Sequence, residues 1–156
     1  MNLQAVSVVH KAGVLHLDLK PQNFILVAGQ IKLIDFGLSL SVPNTKTLQT
    51  SRPSRCGTWV YASPESVTLS PKGGFQVSDK SDVWSLGISL YFMVHQELPY
   101  DVPSSETEIV YYPLEFPTDV GNNDPEVTKV LKSCLQLDPA KRPSVEQLLR
   151  HRYLRG

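Results

Sequence analysis

The chain has 156 residues, and its 15 basic and 15 acidic side chains leave a formal net charge of zero. That length suits one domain with a sizeable core, and the balanced charge gives no reason to expect nucleic acid or a charged membrane surface as the main partner. Two cysteines, Cys56 and Cys134, make neither a disulfide framework nor a metal knuckle, which points to reduced thiols in an intracellular protein.

No apolar run is long enough for a membrane span, and the first residues lack the basic-then-apolar pattern of a secretory leader. Residues 2–12 carry a helical stripe of Leu3, Val6 and Val9, with Val8 fitting less cleanly, and Gly13 stops it. A helix that begins with the first residue reads as cut off rather than started. Two short apolar runs follow at 23–27 and 31–34, separated by Ala28-Gly29-Gln30. They predict a small two-stranded hairpin that delivers Asp35 to its far end.

Residues 38–60 are rich in Ser and Thr with little periodicity, which predicts a long loop. Residues 66–78, with Pro71-Lys72-Gly73-Gly74 inside them, read as a loose surface insertion. Residues 81–93 are apolar on nearly every helical side, so that helix belongs in the centre of a core. The next helix opens at Asp124-Pro125-Glu126, with Asp124 as candidate cap and Pro125 at the first position. Its buried face is Val127, Val130, Leu131, Cys134 and Leu135. A last helix starts near Pro143-Ser144 and buries Val145, Leu148 and Leu149. The twelve prolines punctuate these elements rather than repeat, and the sum is a mainly α domain with one small β-hairpin.

The chemistry is concentrated in His16-Leu17-Asp18-Leu19-Lys20-Pro21-Gln22-Asn23 and, just beyond the hairpin, in Asp35-Phe36-Gly37. Carboxylate, lysine, amide and second carboxylate in this order suit phosphoryl transfer from Mg-ATP to a hydroxyl. That reaction needs metal on the phosphates and a carboxylate that orients the acceptor. Asp18 is the candidate for that carboxylate, and Lys20 can approach the transferring phosphate and offset its charge. Asn23 and Asp35 are the candidate magnesium ligands, hard oxygen donors whose octahedron water and phosphate complete. Gly37 lets the backbone turn, Phe36 packs inward to hold Asp35, and His16 has a structural place near Phe36 rather than a role as base.

The two segments together resemble the catalytic loop and metal-binding segment of the eukaryotic protein kinases. Gly57-Thr58-Trp59-Val60-Tyr61-Ala62-Ser63-Pro64-Glu65 resembles that family's substrate-docking segment, with Ser63 in place of the usual alanine. The resemblance implies that Thr58 bonds near Asp18 and Lys20, a feature of Ser/Thr specificity. It further implies that Glu65 pairs with Arg142, that Asp82 holds the catalytic-loop backbone, and that Lys20, Asn23, Ile25 and Asp35 line the site for ATP and Mg2+. Within the family, the chain is most similar to the dual-specificity spindle-checkpoint (monopolar spindle, TTK-like) group. The similarity lies in Asp18-Leu19-Lys20-Pro21 with Asn23-Phe24, Lys32-Leu33-Ile34-Asp35-Phe36-Gly37-Leu38, Ser78-Asp79-Lys80-Ser81-Asp82-Val83-Trp84-Ser85-Leu86-Gly87, Leu114-Glu115-Phe116-Pro117 and Leu131-Lys132-Ser133-Cys134-Leu135. That group implies phosphorylation of Ser, Thr and sometimes Tyr in protein substrates, at kinetochores in the nucleus or in the cytoplasm.

Leu17 stands where most kinases carry an arginine that pairs with a loop phosphate, which weakens the usual way of ordering residues 38–60. Ser39, Ser41, Thr45, Thr47, Thr50, Ser51 and Ser54 are candidate phosphosites, or simply a solvated loop, and Arg52 and Arg55 are nearby candidate receivers. The stretch from Tyr100 to Leu114 is short for the helix the family places there. The expected fold is therefore a kinase C-terminal lobe over residues 1–156, with an activation and substrate-docking segment at 38–65 and the N-terminal lobe absent. Ile25 and its apolar surroundings would then face solvent and invite self-association or a separate N-terminal lobe. An incomplete kinase domain with little activity of its own is the leading expectation. A non-catalytic half-kinase module that binds a partner or regulates a full kinase is the alternative.

Overall fold

The computed structural model describes residues 2–42, 49–100, 114, 116 and 125–154. Helix α1 spans Leu3–Lys11, and Asn2 caps it: Ala5 N–H donates to Asn2 Oδ1 at 3.2 Å. The helix therefore begins at Leu3, after a side-chain cap, rather than at the first residue. Its inner face is Val6, Ser7 and His10, while Val8 is 67% exposed. Gly13, at φ 75°, closes it by donating its N–H to the His10 carbonyl.

Strands β2 (Phe24–Val27) and β3 (Gln30–Leu33) form the expected antiparallel hairpin, with Phe24 opposite Leu33 and Val27 opposite Gln30. Ala28 and Gly29 both take positive φ, which is the turn whose twist matches two adjoining strands. Two further pairings correct the expectation of a single hairpin. Strand β1 (Val14–Leu15) pairs with β4 (Leu40–Ser41), and β5 (Gln49–Arg52) pairs with β6 (Phe75–Ser78). Residues 38–60 are therefore not all loop, and 66–78 is not simply a loose surface insertion: β6 gives Val77 to the interior. Strands of two to four residues with distant partners leave no periodicity to detect.

Helix α2 (Pro64–Val67) is one turn, and α3 (Asp79–His95) is the central helix. A capping box starts α3: Lys80 N–H donates to Ser78 Oγ, and Ser78 N–H donates to Ser81 Oγ. Val83, Trp84, Leu86, Ile88 and Tyr91 are all buried, although Phe92 and Met93 at its last turn reach the surface. Helix α4 (Pro125–Cys134) opens on proline, and Asp124, the expected cap, lies outside the described residues, as does nearly all of the stretch from Tyr100 to Leu114. Its expected face is buried in full, from Val127 to Leu135. Gly87 is where α3 meets α4, since a Cβ there would lie 2.8 Å from Cys134 Cβ. Helix α5 (Val145–Arg150) has its own capping box from Ser144 and Gln147, and it packs on α1. Among the described residues the protein is largely helical, with three two-stranded sheets.

The candidate active site

The peptide that precedes Asp18 is strained. Leu17 has φ 65°, a left-handed conformation that costs a residue with a side chain about 1–2 kcal/mol. Asp82, wholly buried on α3, holds it there: His16 N–H donates to Asp82 Oδ2 at 2.9 Å and Leu17 N–H to Oδ1 at 2.8 Å. On the other side Gly57, at φ 90°, packs so closely that a Cβ would stand 2.5 Å from the Leu17 carbonyl oxygen. Strain of this kind persists only where the surroundings over-determine it. The Leu17 side chain turns into a small apolar cluster with Leu15, Val42 and Val77. Apolar packing therefore occupies the place where an arginine would wait for a loop phosphate.

Asp18 is buried and its carboxylate is fully engaged. Thr58 gives Oδ1 two bonds at 2.7 Å, one from its N–H and one from its hydroxyl. Lys20 Nζ donates to Oδ2 at 2.8 Å and to Thr58 Oγ1 at 2.7 Å. Burial pushes the Asp18 carboxyl upward, but the Lys20 and Thr58 bonds together outweigh it and hold the group below its ordinary 3.8. It is thus an anion at neutral pH.

His16 is held in one tautomer. Its Nδ1 accepts from Asp18 N–H at 3.3 Å, so its Nε2 carries the proton and donates to the Ile34 carbonyl at 3.1 Å. Phe36 meets it edge-on at 4.9 Å. Yet Phe36 is 46% exposed, so the expected inward packing is only partial.

Asn23 closes the loop, its Nδ2 donating to the Asp18 carbonyl at 2.8 Å and, at a longer 3.4 Å, to Asp18 Oδ2. Its Oδ1 is the atom suited to a metal. Asp35 follows β3 at φ 63° and is exposed, its Oδ1 accepting from Gly37 N–H at 3.3 Å. An amide oxygen and a carboxylate are the hard donors magnesium takes when phosphate and water supply the rest, so the residues present fit that ion. Ile25 is 38% exposed on the hairpin, near Leu26, Val27 and Ile31, which are exposed as well.

Below the site, Arg142 clamps the segment that carries Glu65. It donates to Glu65 Oε1 at 2.7 Å and Oε2 at 2.9 Å, to the Gln136, Lys80 and Leu137 carbonyls, and it lies over the Trp84 ring. Tyr100 donates its hydroxyl to the Val60 carbonyl of the same segment. Arg52, an expected phosphate receiver, donates to the Leu38 carbonyl at 2.7 Å. Both cysteines are free thiols, and burial pushes Cys134 up to about 12.

The structure brings Asp18, Lys20, Asn23 and Thr58 into one bonded cluster, with Asp35 at the end of the adjoining hairpin. His10, whose Nε2 stands 2.8 Å from Asp82 Oδ2, escaped the sequence reading, and Gly57 was given no role of its own there: a glycine before Thr58 carries no signal of what packs against it. Gly57→Ala is expected to cost at least about 1–2 kcal/mol from backbone conformation alone, and to loosen Thr58 from Asp18. Urea denaturation and a transfer assay check both effects, and an alanine variant as stable as the parent would contradict the close approach.

The family model for the protein kinase domain matches residues 1–154. The chain is 40% identical, over 99% of its length, to the serine/threonine-protein kinase MPS1 of Encephalitozoon cuniculi, of which it covers 26%. It is 37% identical over 98% of its length to a probable serine/threonine-protein kinase mps1 of Dictyostelium discoideum, and 36% identical over 97% to the dual specificity protein kinase Ttk of Danio rerio, covering 16% of each.

Proposed function

The chain belongs to the protein kinase family, alongside the MPS1 and TTK kinases, and we propose that it carries the phosphoryl-transfer centre of a Ser/Thr or dual-specificity protein kinase. The observation that carries this is the cluster around Asp18: two carboxylate oxygens held by Thr58 and Lys20, on a peptide strained into place by Asp82. In this proposal Asp18 orients the hydroxyl of a protein substrate and accepts its proton. Lys20 stabilises charge on the transferring phosphoryl group, and Thr58 fixes both. Asn23 and Asp35 would hold magnesium, which neutralises charge on the ATP phosphates when bound. Residues 1–156 correspond in this reading to the C-terminal lobe, with 38–65 as the activation and docking segment and Ile25 under the adenine. The resemblance to the spindle-checkpoint group carries the proposal of a role in chromosome segregation at the kinetochore.

The second reading is a non-catalytic module, and the exposed hairpin favours it: Leu26 is 72% exposed, and Ile25 and Val27 stand beside it. An N-terminal lobe or a second copy would cover that face. Nucleotide on an open face lies in water, where preorganised charges are worth least. One pair of measurements separates the readings: the intact mass of the endogenous polypeptide and its transfer of labelled γ-phosphate to Ser, Thr or Tyr with Mg2+ and ATP. A mass well above 17.4 kDa with transfer supports the kinase. A mass near 17.4 kDa without transfer supports the binding module.

A further inference from the structure

Strand β6 is fastened at both ends. Ser78 closes it and also caps α3, accepting from Lys80 N–H at 3.1 Å, so the central helix fixes where β6 runs. At its start a tight turn holds it, in which Ser70 N–H donates to the Gly74 carbonyl and Leu69 bridges to Phe75. Against this template lies β5, part of the Ser- and Thr-rich stretch that leads to Thr58. The two strands pair from Gln49 opposite Ser78 to Arg52 opposite Phe75. Side chains tighten the pairing. Arg55 lies over the Phe75 ring, 5.5 Å from its centre. Val77, 1% exposed, packs in the cluster with Leu15, Leu17 and Val42, and Cys56 borders that cluster. Arg52 and Arg55, the candidate receivers of a loop phosphate, thus engage the protein itself, at the Leu38 carbonyl and the Phe75 ring.

We propose that residues 69–78 are a built-in clasp on the proposed docking segment: by pairing with β5 and seating Val77 against Leu17, they order the chain up to Thr58 without a phosphate on it. The idea rests on the kinase reading above. Ordering a long loop costs conformational entropy, which contacts must offset. Leu17 stands where a phosphate-binding arginine would, so strand pairing and apolar burial supply those contacts instead. The path from clasp to site is short. Cys56 borders the cluster, Gly57 packs on the Leu17 carbonyl, and Thr58 donates to Asp18. Displacing β5 therefore moves the residues that hold Asp18, and small misplacements there cost rate far more than nucleotide binding.

Two neighbouring glycines make the test. Gly73 and Gly74 both take left-handed backbone, at φ 81° and 72°, so alanine strains each alike. A Cβ at Gly73 meets nothing within 4 Å, whereas one at Gly74 would stand 2.8 Å from the Arg52 carbonyl oxygen and push β5 away. In the full-length protein, Gly74→Ala is expected to lower kcat/KM for a Ser/Thr protein substrate about 10–100-fold, with KM for ATP within about twofold of the parent. Gly73→Ala is expected to match the parent. Amide hydrogen exchange across residues 49–58 should quicken at least about tenfold in Gly74→Ala alone. The parent freed of phosphate by a phosphatase, as its intact mass verifies, should keep slow exchange there and a kcat within about twofold. Where Gly74→Ala does not fold, Val77→Ala, which opens a cavity beside Leu17, takes its place with the same expected losses. Equal losses in both glycine variants, unchanged exchange in Gly74→Ala, or order and activity that vanish with the phosphate would each overturn the proposal. If the parent transfers no phosphate as isolated, the kinase reading fails instead. Exchange across residues 49–58 then decides the clasp by itself: faster in Gly74→Ala than in Gly73→Ala supports it, and equal exchange rejects it.

Discussion

Asp18→Asn is expected to lower kcat for phosphoryl transfer by about 10²–10⁴-fold, the usual contribution of a positioned acid–base group, with KM for ATP little changed. Two effects add in that variant. The amide is no longer a proton acceptor. Each oxygen of the native carboxylate also accepts from a donor already in place, Thr58 N–H and hydroxyl at Oδ1 and Lys20 at Oδ2. Whichever way the amide is turned, its NH2 faces one of those donors, so the cluster must loosen as well. Asp35→Asn tests the metal assignment separately and is expected to abolish whatever transfer the parent shows, because it replaces the anionic donor of the proposed pair with a second neutral amide. Steady-state kinetics across a magnesium titration would check it. Transfer by Asp35→Asn at the parent's rate would mean that Asp35 does not hold the metal.

Arg142→Ala is expected to destabilise the fold by about 3–5 kcal/mol, the cost of breaking a buried ion pair from one side. That is a large share of the roughly 5–15 kcal/mol available to a domain. The variant strips Glu65 of both forked bonds, leaves the Gln136, Lys80 and Leu137 carbonyls short of a donor, and uncovers the Trp84 ring. Ser81 Oγ, at 2.9 Å, still donates to Glu65 Oε1, so the glutamate is not stranded altogether. Arg142→Lys should recover little, because an ammonium cannot make a planar two-pronged bond. Urea denaturation of Arg142→Ala, Glu65→Ala and the double variant gives the coupling. Strictly additive losses would show that the pair does not act as a unit.

Both predictions concern residues that stood out in the sequence, and for the first the reason is local. Asp18, Lys20 and Asn23 lie within one short loop, and Asp35 follows a hairpin whose apolar runs and Ala28-Gly29 turn are visible in the chain. The helices were legible for the same reason. Val127, Val130, Leu131 and Cys134 recur at helical spacing, and all are buried. Even the Glu65–Arg142 pair was expected, though only from family resemblance, since nothing local links residues 77 positions apart.

What the amino-acid order determined by itself was the set of candidate site residues, the hairpin that separates them and the apolar faces of the helices, because each depends on neighbours along the chain. Only the tertiary structure decided how those groups are held. Leu17 looked like a lost arginine until its place beside Leu15, Val42 and Val77 gave it a packing role. Residues 66–78 looked loose until β6 found its partner in β5. His10 and Gly57 acquire meaning only from atoms 72 residues away on α3 and on the far side of the Leu17 peptide. Contacts of that kind come from the packing of distant segments, and a residue's type and spacing carry no record of which distant atom it will meet.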